Sequence, residues 1–334
     1  MIPLAILDDY LRNALTCADW TVLQKDVAIT TFEDHIDDRD EERLAERLAP
    51  FAIVCGMRER TWFRRPLLAR LPALRLLCST SPRNAAIDLL AARDLGITVC
   101  GTNPPRPIDQ TAELTWGLIH ALIRNIPGED RLIRQGGWQE RIGRDLHGAT
   151  LGLVGWGGIG KVVGRVGLAF SMKVLAWSPN LTPERIATPG VELVSKEDLF
   201  RRSDIVSVHM VLSERTRGLI GAPEFGLMKR SAVIVNTSRG PLIEEAALIA
   251  ALQAGRIAGA GLDTFDVEPL PSEHVLRRLP NTVLTGHIGY VTENAYRIFY
   301  GETVENVQAY LAGKPKRVMN PAAATDRSAP WFLE

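Results

Sequence analysis

The sequence has little of what marks a secreted, metal-binding or membrane-spanning protein. Its 334 residues include only four cysteines, which lie far apart and form no CxxC pair. This spacing argues against a zinc site and a disulfide framework, and the apolar runs around three of the cysteines predict buried, reduced thiols. No apolar stretch approaches the roughly 18 residues of a membrane-spanning helix, and the N-terminus does not resemble a signal peptide. We therefore expect a cytoplasmic protein with no metal ion and no membrane contact.

The chain also lacks an excess of charge of either sign. Lysine and arginine total 39 and aspartate and glutamate total 39, so the formal charge at pH 7 is zero. Without an excess of positive charge we do not expect the protein to bind nucleic acid, so its partner has to be inferred from a binding site. Hydrophobic residues make up 46% and charged residues 23%, the balance of a folded protein. The length predicts two domains of about 150 residues each.

Short apolar runs alternate with amphipathic segments along most of the chain. The runs PLAIL, FAIVC, LRLLC and ITVC predict buried strands, and between them Leu44, Leu48 and Phe51 recur at helical spacing. This alternation predicts an α/β protein in which helices cover both faces of a parallel sheet. The first set of strands ends at Cys100, and a second set begins at Ala149.

A proline-rich connector separates the two sets. The segment Gly101 to Pro107 contains three prolines, a composition that cannot occupy a helix interior. A long apolar helix is predicted to begin near Thr111. We therefore predict a domain boundary near residue 104.

Three glycines between a predicted strand and a predicted helix carry the clearest chemical signal. Gly155, Gly157 and Gly160 have G-x-G-x-x-G spacing, and another strand follows at the expected distance. The first glycine makes a tight turn, the second lets a pyrophosphate approach the backbone, and the third lets the helix pack closely. Backbone N–H groups at the start of the helix then bind the phosphates. The loop predicts a dinucleotide-binding domain.

The residue that normally selects NAD over NADP is not acidic in this sequence. The end of the strand after the glycine loop usually carries an acid that binds the 2′-hydroxyl of the NAD ribose. Ser178 stands there, followed by Pro179 and Asn180. No acid repels a 2′-phosphate and no adjoining arginine attracts one, so the sequence leaves the choice between NAD and NADP open.

Further segments resemble one enzyme family in order and spacing. Asn236 to Ile243, Gly261 to Pro271 and Leu284 to Thr292 each follow a predicted strand. With the glycine loop and the TAELTWGLI helix, they resemble the D-isomer-specific 2-hydroxyacid dehydrogenases over nearly the whole chain. The resemblance implies two doubly wound parallel-sheet domains. One is a discontinuous flavodoxin-like substrate domain from residues 1–104 and 290–334, and the other is a Rossmann dinucleotide-binding domain from residues 105–289. The resemblance also implies a homodimer that moves a hydride between NAD or NADP and C2 of a small D-2-hydroxy acid or 2-keto acid of the glyoxylate/hydroxypyruvate type.

The resemblance assigns roles to particular residues. Arg239 is expected to bind the substrate carboxylate and C2 oxygen, and Glu268 and His287 to form the pair that moves the hydroxyl proton. A neighbouring carboxylate keeps an imidazole protonatable near neutral pH, and a guanidinium grips a planar carboxylate with two hydrogen bonds. Asp263 is expected at the nicotinamide carboxamide. The full set of implied cofactor-binding residues is Gly155, Gly157, Gly158, Ile159, Gly160, Ser178, His209, Thr216, Thr237, Asp263 and Gly289.

The substrate side departs more from the family. A segment of the first domain places Arg58, and with it Arg60, where family members face an anionic or polar substrate tail. Ser81 and Pro82 stand in the loop whose backbone N–H groups hold the substrate carboxylate. Glycine is usual in the family where Ser81 stands, and Pro82 removes a donor. Gly286 and Val211 stand at two further positions where family members usually have proline.

Two other functions fit the same residues. One is that of a 3-phosphoglycerate dehydrogenase, which neither the neutral charge nor the motifs distinguish. The other is that of a non-catalytic NAD-sensing protein like the family's transcriptional corepressors, which can retain the catalytic residues. Turnover of a panel of 2-keto acids distinguishes the three.

Overall fold

The computed structural model describes residues 1–37, 39–103, 107–186 and 188–320. The chain divides into two compact units, the first formed by Met1–Pro105 with Val291–Glu334 and the second by Arg106–Tyr290. The strands are β1 (Ile2–Ile6), β2 (Val27–Thr31), β3 (Ile53–Gly56), β4 (Leu76–Ser79), β5 (Thr98–Cys100), β6 (Thr150–Val154), β7 (Lys173–Trp177), β8 (Val191–Leu193), β9 (Ile205–Val208), β10 (Val233–Asn236), β11 (Gly259–Leu262) and β12 (Thr282–Leu284). The α-helices are α1 (Glu41–Leu48), α2 (Arg65–Ala69), α3 (Leu89–Asp94), α4 (Pro107–Ile123), α5 (Ile126–Arg134), α6 (Gly158–Ala169), α7 (Pro183–Ile186), α8 (Lys196–Arg202), α9 (Ala222–Leu227), α10 (Glu245–Gln253) and α11 (Glu293–Leu311).

The first unit contains a five-stranded parallel sheet in the order β2-β1-β3-β4-β5. Its apolar strands bury their side chains completely at positions such as Leu4 and Leu77. Helix α1 begins after Asp40, whose side chain caps the first turn, and it buries Leu44 and Leu48 on one face as the helical spacing predicts. The strand order reverses between β1 and β3, and ligands of doubly wound sheets bind at the carboxyl ends of the strands at such a reversal.

Three of the four cysteines lie side by side in this sheet. Cys55 on β3 is the register partner of Cys78 on β4, and Cys78 is the register partner of Cys100 on β5. All three are buried and all are free thiols, so their predicted burial is confirmed. A hydrogen bond with Cys55 and burial raise the pKa of Cys78, and burial raises the pKa of Cys100. The thiols of Cys78 and Cys100 therefore stay protonated and unreactive in the folded protein.

The second unit contains a seven-stranded parallel sheet in the order β12-β11-β10-β9-β6-β7-β8. One cluster of buried apolar residues packs strands of this sheet against α4 and α6. A second cluster packs strands of the sheet against α8, α9 and α10. The order reverses between β6 and β9, which places the carboxyl end of β6 at the ligand-binding position of a Rossmann sheet. The predicted fold class, two doubly wound parallel sheets covered by helices, is confirmed.

The long helix of the second unit differs from the prediction at its start. Helix α4 begins at Pro107 and not near Thr111. A proline in the first turn of a helix loses no intrahelical bond, because that N–H has no partner there, so the last residue of the predicted connector is already helical. Residues 104–106 of the connector lie outside the described residues. Across the described residues, none of the helices combines the length and apolar character that crossing a membrane requires.

Candidate active site

The glycine loop joins β6 to α6 at the strand-order reversal of the second sheet. Gly155 has a φ of +109°, and a Cβ there would lie 2.4 Å from the carbonyl oxygen of His209. A Cβ at Gly160 would lie 2.1 Å from the carbonyl oxygen of Gly155, so turn and helix pack too closely for a side chain. A Cβ at Gly157 would meet nothing within 4 Å. The three glycines therefore provide a turn, a close packing contact and an open approach to the backbone.

The start of α6 fits a pyrophosphate. The helix begins at Gly158, and no side chain caps it at Gly157. The first N–H groups of a helix have no intrahelical partner, so those of Gly158 and Ile159 are available to an anion, which the helix dipole also attracts. The open approach at Gly157 lies at the same place. The residues present therefore fit the phosphates of NAD(P).

His209 lies against the glycine loop as a neutral imidazole. Its backbone N–H donates to the carbonyl oxygen of Val154 at 2.7 Å, and its Nε2 lies 2.8 Å from Ser207 Oγ. Its Nδ1 is buried without a hydrogen-bond partner among the described residues. Burial lowers the pKa of His209 to about 3, so the ring carries no charge near neutral pH. An uncharged ring with an unused nitrogen fits a residue that lines the cofactor site.

The loop after β7 accepts a hydrogen bond from an arginine on the helix that follows it. Ser178 follows β7 directly and is half-buried. Arg185 on α7 donates from Nη1 to the carbonyl oxygen of Asn180 at 3.4 Å. The sequence does not indicate this contact, because Arg185 reaches the carbonyl oxygen of Asn180 only once α7 has folded. Its guanidinium adds a positive charge at the Asn180 end of this loop.

Two threonines predicted to bind the cofactor use their hydroxyls within the protein. Thr216 Oγ1 donates to the carbonyl oxygen of Val211 at 2.7 Å and accepts from the N–H of Ser213 at 2.8 Å. Thr237 Oγ1 lies 2.8 Å from Thr115 Oγ1 on α4. In this structure the two hydroxyls hold the loops that follow β9 and β10.

Glu268 and His287 come together from two loops at the same edge of the sheet. Glu268 lies in the loop after β11 and His287 in the loop after β12, and these strands are neighbours. His287 Nδ1 lies 2.6 Å from Glu268 Oε2, and Glu268 Oε1 accepts from the N–H of Phe265 at 2.9 Å. The ring of Tyr290 meets the imidazole edge-on at 5.6 Å between centroids. The ring is thus oriented through Nδ1, and Nε2 is the nitrogen that Glu268 does not bind.

The surroundings of Glu268 keep it ionised. Burial acts to raise its pKa, but the hydrogen bond and charge of His287, the N–H of Phe265 and the charge of Arg239 together lower that pKa below its ordinary 4.5. The side chains of His287 and Glu268 are 26% and 32% exposed, so a small molecule can reach them. An ionised, partly exposed carboxylate therefore lies in contact with the imidazole of His287.

Arg239 belongs to the same edge. It follows β10, the other neighbour of β11, and its Nη1 donates to the carbonyl oxygen of Ser238 at 2.7 Å. A Cβ on the next residue, Gly240, would lie 2.1 Å from the backbone carbon of Phe265. The Arg239 loop therefore packs directly on the loop that carries Glu268, and three adjacent strands deliver the three predicted catalytic side chains to one place.

Asp263 lies beneath His287 at the end of β11. Its Oδ1 accepts from Thr285 Oγ1 at 2.6 Å and from the N–H of Ile288 at 2.8 Å, and its Oδ2 accepts from the N–H of Gly289 at 2.9 Å. Burial raises the pKa of Asp263, and these hydrogen bonds act to lower it. Sequence reasoning missed Thr285, whose only signal is its place directly after a strand.

The predicted substrate contacts of the first unit lie in the loops after β3 and β4. Arg58 has a φ of 54°, and its backbone N–H donates to Thr80 Oγ1 at 2.9 Å, which ties the two loops together. Ser81 is buried, and its hydroxyl donates to the carbonyl oxygen of Arg83. Pro82 is exposed. The Ser81 hydroxyl is thus used inside its own loop.

Known proteins share these segments and this fold. The NAD binding domain described as that of D-isomer specific 2-hydroxyacid dehydrogenases matches residues 116–289. A glyoxylate reductase of Aeropyrum pernix is 38% identical over 76% of this chain and 78% of the relative. A glycerate dehydrogenase of Methylorubrum extorquens is 34% identical over 83% of this chain and 88% of the relative. A crystal structure of a phosphoglycerate oxidoreductase from Vibrio cholerae has a TM-score of 0.86 and 34% identity, and covers 93% of this chain and 99% of its own.

A glycine loop at the strand-order reversal of a Rossmann sheet is typical of a dinucleotide-dependent oxidoreductase. The chain belongs to the D-isomer specific 2-hydroxyacid dehydrogenase family. It is an enzyme of 2-hydroxy acids that uses NAD or NADP, as the sequence predicts, and neither the relatives nor the site selects one of the two cofactors.

Proposed function

We propose that the protein interconverts a small D-2-hydroxy acid and its 2-keto acid, of the glyoxylate or hydroxypyruvate type, at Arg239, Glu268 and His287. The observation that carries this proposal is the 2.6 Å contact between His287 Nδ1 and Glu268 Oε2 beside the charge of Arg239. Bound NAD(P) supplies or accepts the hydride. The residues of this chain bind the acid and move the proton.

His287 moves the proton in this mechanism. Because Glu268 binds Nδ1, Nε2 is the nitrogen that meets the C2 oxygen of the substrate. In oxidation Nε2 takes the hydroxyl proton, and in reduction it returns a proton to the C2 oxygen. The lowered pKa of Glu268 keeps that carboxylate charged, so it stabilises the imidazolium that oxidation produces.

Arg239 binds the reacting end of the substrate. A planar guanidinium forms two parallel hydrogen bonds with a carboxylate and polarises a neighbouring carbonyl oxygen. The packing of Gly240 on the Phe265 backbone supports this role, because it holds the Arg239 loop against the loop of the proton-moving pair. Substrate orientation and proton transfer then take place at one edge of one sheet.

The two units have separate roles in this proposal, with residues 105–289 binding the dinucleotide and residues 1–104 with 290–334 facing the substrate. The cofactor would contact the glycine loop and the ends of the neighbouring strands, including Gly155, Gly157, Gly158, Ile159, Gly160, Ser178, His209, Thr216, Thr237, Asp263 and Gly289. We propose that Arg58, Ser81 and Pro82, in the loops after β3 and β4, contribute to substrate recognition.

A substrate panel tests the proposal. Purified protein is offered glyoxylate, hydroxypyruvate, phenylpyruvate and 3-phosphohydroxypyruvate with NADH and with NADPH, and kcat/KM is measured for each pair. We expect glyoxylate or hydroxypyruvate to react fastest, as the names of the two sequence relatives suggest. A preference for the phosphorylated acid would instead make the protein a phosphoglycerate dehydrogenase. NADH binding without any turnover would make it a non-catalytic sensor.

We propose further that the enzyme is a homodimer. Helix α5 has no buried residue, and the segment after it exposes Trp138 by 76% and Ile142 completely. Large apolar side chains exposed together are typical of a surface that a second copy covers. Analytical ultracentrifugation should find a dimer that Trp138→Asp with Ile142→Asp converts to a monomer. A monomeric wild-type protein would contradict this.

A cytoplasmic location is part of the same proposal. The four cysteines are free, and free thiols are typical of proteins kept in a reducing compartment. Fractionation of the source cells tests the location.

A further inference from the structure

His287 adopts a backbone conformation that residues with a side chain rarely adopt. Its φ is 55°, in the left-handed region. The preceding residue is Gly286, where a Cβ would meet nothing within 4 Å, so packing at that position does not restrict the loop. Other contacts must hold His287 in the conformation that brings its Nδ1 to Glu268.

The carboxylate of Asp263 contacts the loop on both sides of His287. Before His287, the Thr285 hydroxyl donates to Asp263 Oδ1 at 2.6 Å. After it, the N–H groups of Ile288 and Gly289 donate to Oδ1 and Oδ2 at 2.8 and 2.9 Å. Asp263 is completely buried, and its own N–H donates to the last residue of β10 at 3.0 Å, so the acceptor is anchored in the sheet.

We propose that Asp263 and Thr285 are positioning residues that hold His287 in its left-handed conformation, an inference that rests on the proposed catalytic role of His287. Hydrogen bonds to a carboxylate are stronger than those between neutral groups, and burial raises the cost of leaving one unmade. With such bonds flanking His287, its backbone cannot leave the left-handed region without breaking at least one. On the N-terminal side the Thr285 hydroxyl supplies the bond to Asp263, next to the backbone bond from the N–H of Thr285 to the carbonyl oxygen of Leu262 at 2.9 Å.

The clamp formed by Asp263 and Thr285 acts on the imidazole and not on the substrate directly. Weakening it lowers the fraction of molecules in which Nδ1 of His287 meets Glu268. The turnover number then falls, because only that fraction reacts, while the affinity for the dinucleotide changes little. Thr285 is the better probe, since Asp263 is itself expected at the nicotinamide.

The test compares three variants at two threonines, two of which lose the threonine hydroxyl and one of which keeps it. Thr285→Val removes the hydroxyl that donates to Asp263, and Thr285→Ser restores it. Thr282→Val is the matched control, because the Thr282 hydroxyl, on the same strand segment, donates to the carbonyl oxygens of Leu276 and Leu279. We expect Thr285→Val to lose about tenfold in kcat with an NADH Kd within about twofold of wild type. Thr285→Ser should recover most of this loss, and Thr282→Val should keep kcat even where its Tm falls.

Two outcomes would overturn the clamp. One is a wild-type kcat in Thr285→Val, and the other is a kcat loss in Thr282→Val as large as that in Thr285→Val. The ring-nitrogen NMR signals of His287 separate this proposal from the proposed function. If the wild-type protein reduces no 2-keto acid, the function fails, and the clamp is still supported by an Nδ1 signal that shifts in Thr285→Val and returns in Thr285→Ser. An unshifted signal would overturn it.

Discussion

Replacing Glu268 by glutamine keeps the size of the side chain at the 2.6 Å contact with His287 and removes its charge. Without the carboxylate the protonated imidazole loses its stabilising partner. We expect the pH profile of kcat/KM for keto-acid reduction to move to lower pH, and oxidation to begin at lower pH. Measuring both directions across pH checks this.

The same loop offers a control for the loss of a carboxylate. Glu273 is exposed and forms an ion pair with Arg278, away from His287. Glu273→Gln should therefore leave both profiles in place. A reductive profile that does not move in Glu268→Gln would show that the Glu268 carboxylate and the imidazole do not interact in solution.

Arg239→Lys keeps a positive charge and removes the planar pair of donors. We expect KM to rise and kcat to fall, with a combined loss in kcat/KM of about a hundredfold or more, since hydrogen bonds to charged groups are involved. NADH binding, followed by fluorescence, should change little. Arg201→Lys on the exposed surface of α8 is the control, and near-normal kinetics in Arg239→Lys would remove Arg239 from the site.

His209 should make the protein sensitive to acid. Its pKa is lowered from 6.5 to about 3 by burial, so below pH 6.5 the unfolded chain binds a proton that the folded chain does not. The free energy of unfolding should therefore fall as the pH drops from 6.5 towards 3, by about 2 kcal/mol at pH 5. His209→Gln should flatten this part of the profile in urea titrations. An equally steep profile in the variant would assign the acid sensitivity to other groups.

At the scale of elements, we expect the loop between β7 and α7 to influence the choice of cofactor. Ser178 neither repels a 2′-phosphate nor pairs with one, and Arg185 lies beside the same loop. We expect both NADH and NADPH to support turnover. Ser178→Asp should penalise NADPH selectively, and Arg185→Ala should raise the KM for NADPH more than that for NADH. A wild-type preference above about a thousandfold, about 4 kcal/mol, would mean that another residue decides.

The apolar runs of the first set predict β1, β3, β4 and β5. The runs ATLGLVG, MKVLAW, DIVSVH, AVIVN, IAGAGLD and NTVLT predict the strands of the second set, and one strand of each sheet is missed. Both missed strands, β2 and β8, form the outer edge of their sheets. These two edge strands stay partly exposed, so Val27–Thr31 and Val191–Leu193 lack the continuous apolar run that buried strands show, whereas the edge strand β5 is buried and shows it. Central strands are readable from composition because two covered faces demand apolar residues at every position.

In the candidate site, too, some residues are indicated by local sequence patterns and others are not. The glycine spacing and the segments of Arg239, Glu268 and His287 are local signals, each directly after a strand. The hydroxyl of Thr285 and the guanidinium of Arg185 gain their partners only through folding, from residues that no fixed spacing relates. Supporting contacts of this kind depend on tertiary packing, and a single sequence does not record them.

At the scale of the whole molecule, the two units differ in their content of cysteine. All four cysteines belong to the first unit, and residues 106–290 contain none. Cys17 is partly exposed, whereas Cys55, Cys78 and Cys100 are buried in adjacent strands. A thiol reagent therefore reports on one half of the chain alone.

The three buried thiols make the transient unfolding of the first sheet measurable by chemical labelling. Buried thiols react only in molecules that have transiently unfolded around them, so the labelling rate measures how often the first sheet comes apart. We expect one fast label at Cys17 and three slow labels that appear together, because β3, β4 and β5 separate as one unit. Mass spectrometry of Cys17→Ser should show only the slow group. Labels that arrive one by one would mean that the edge strand β5 detaches ahead of its neighbours.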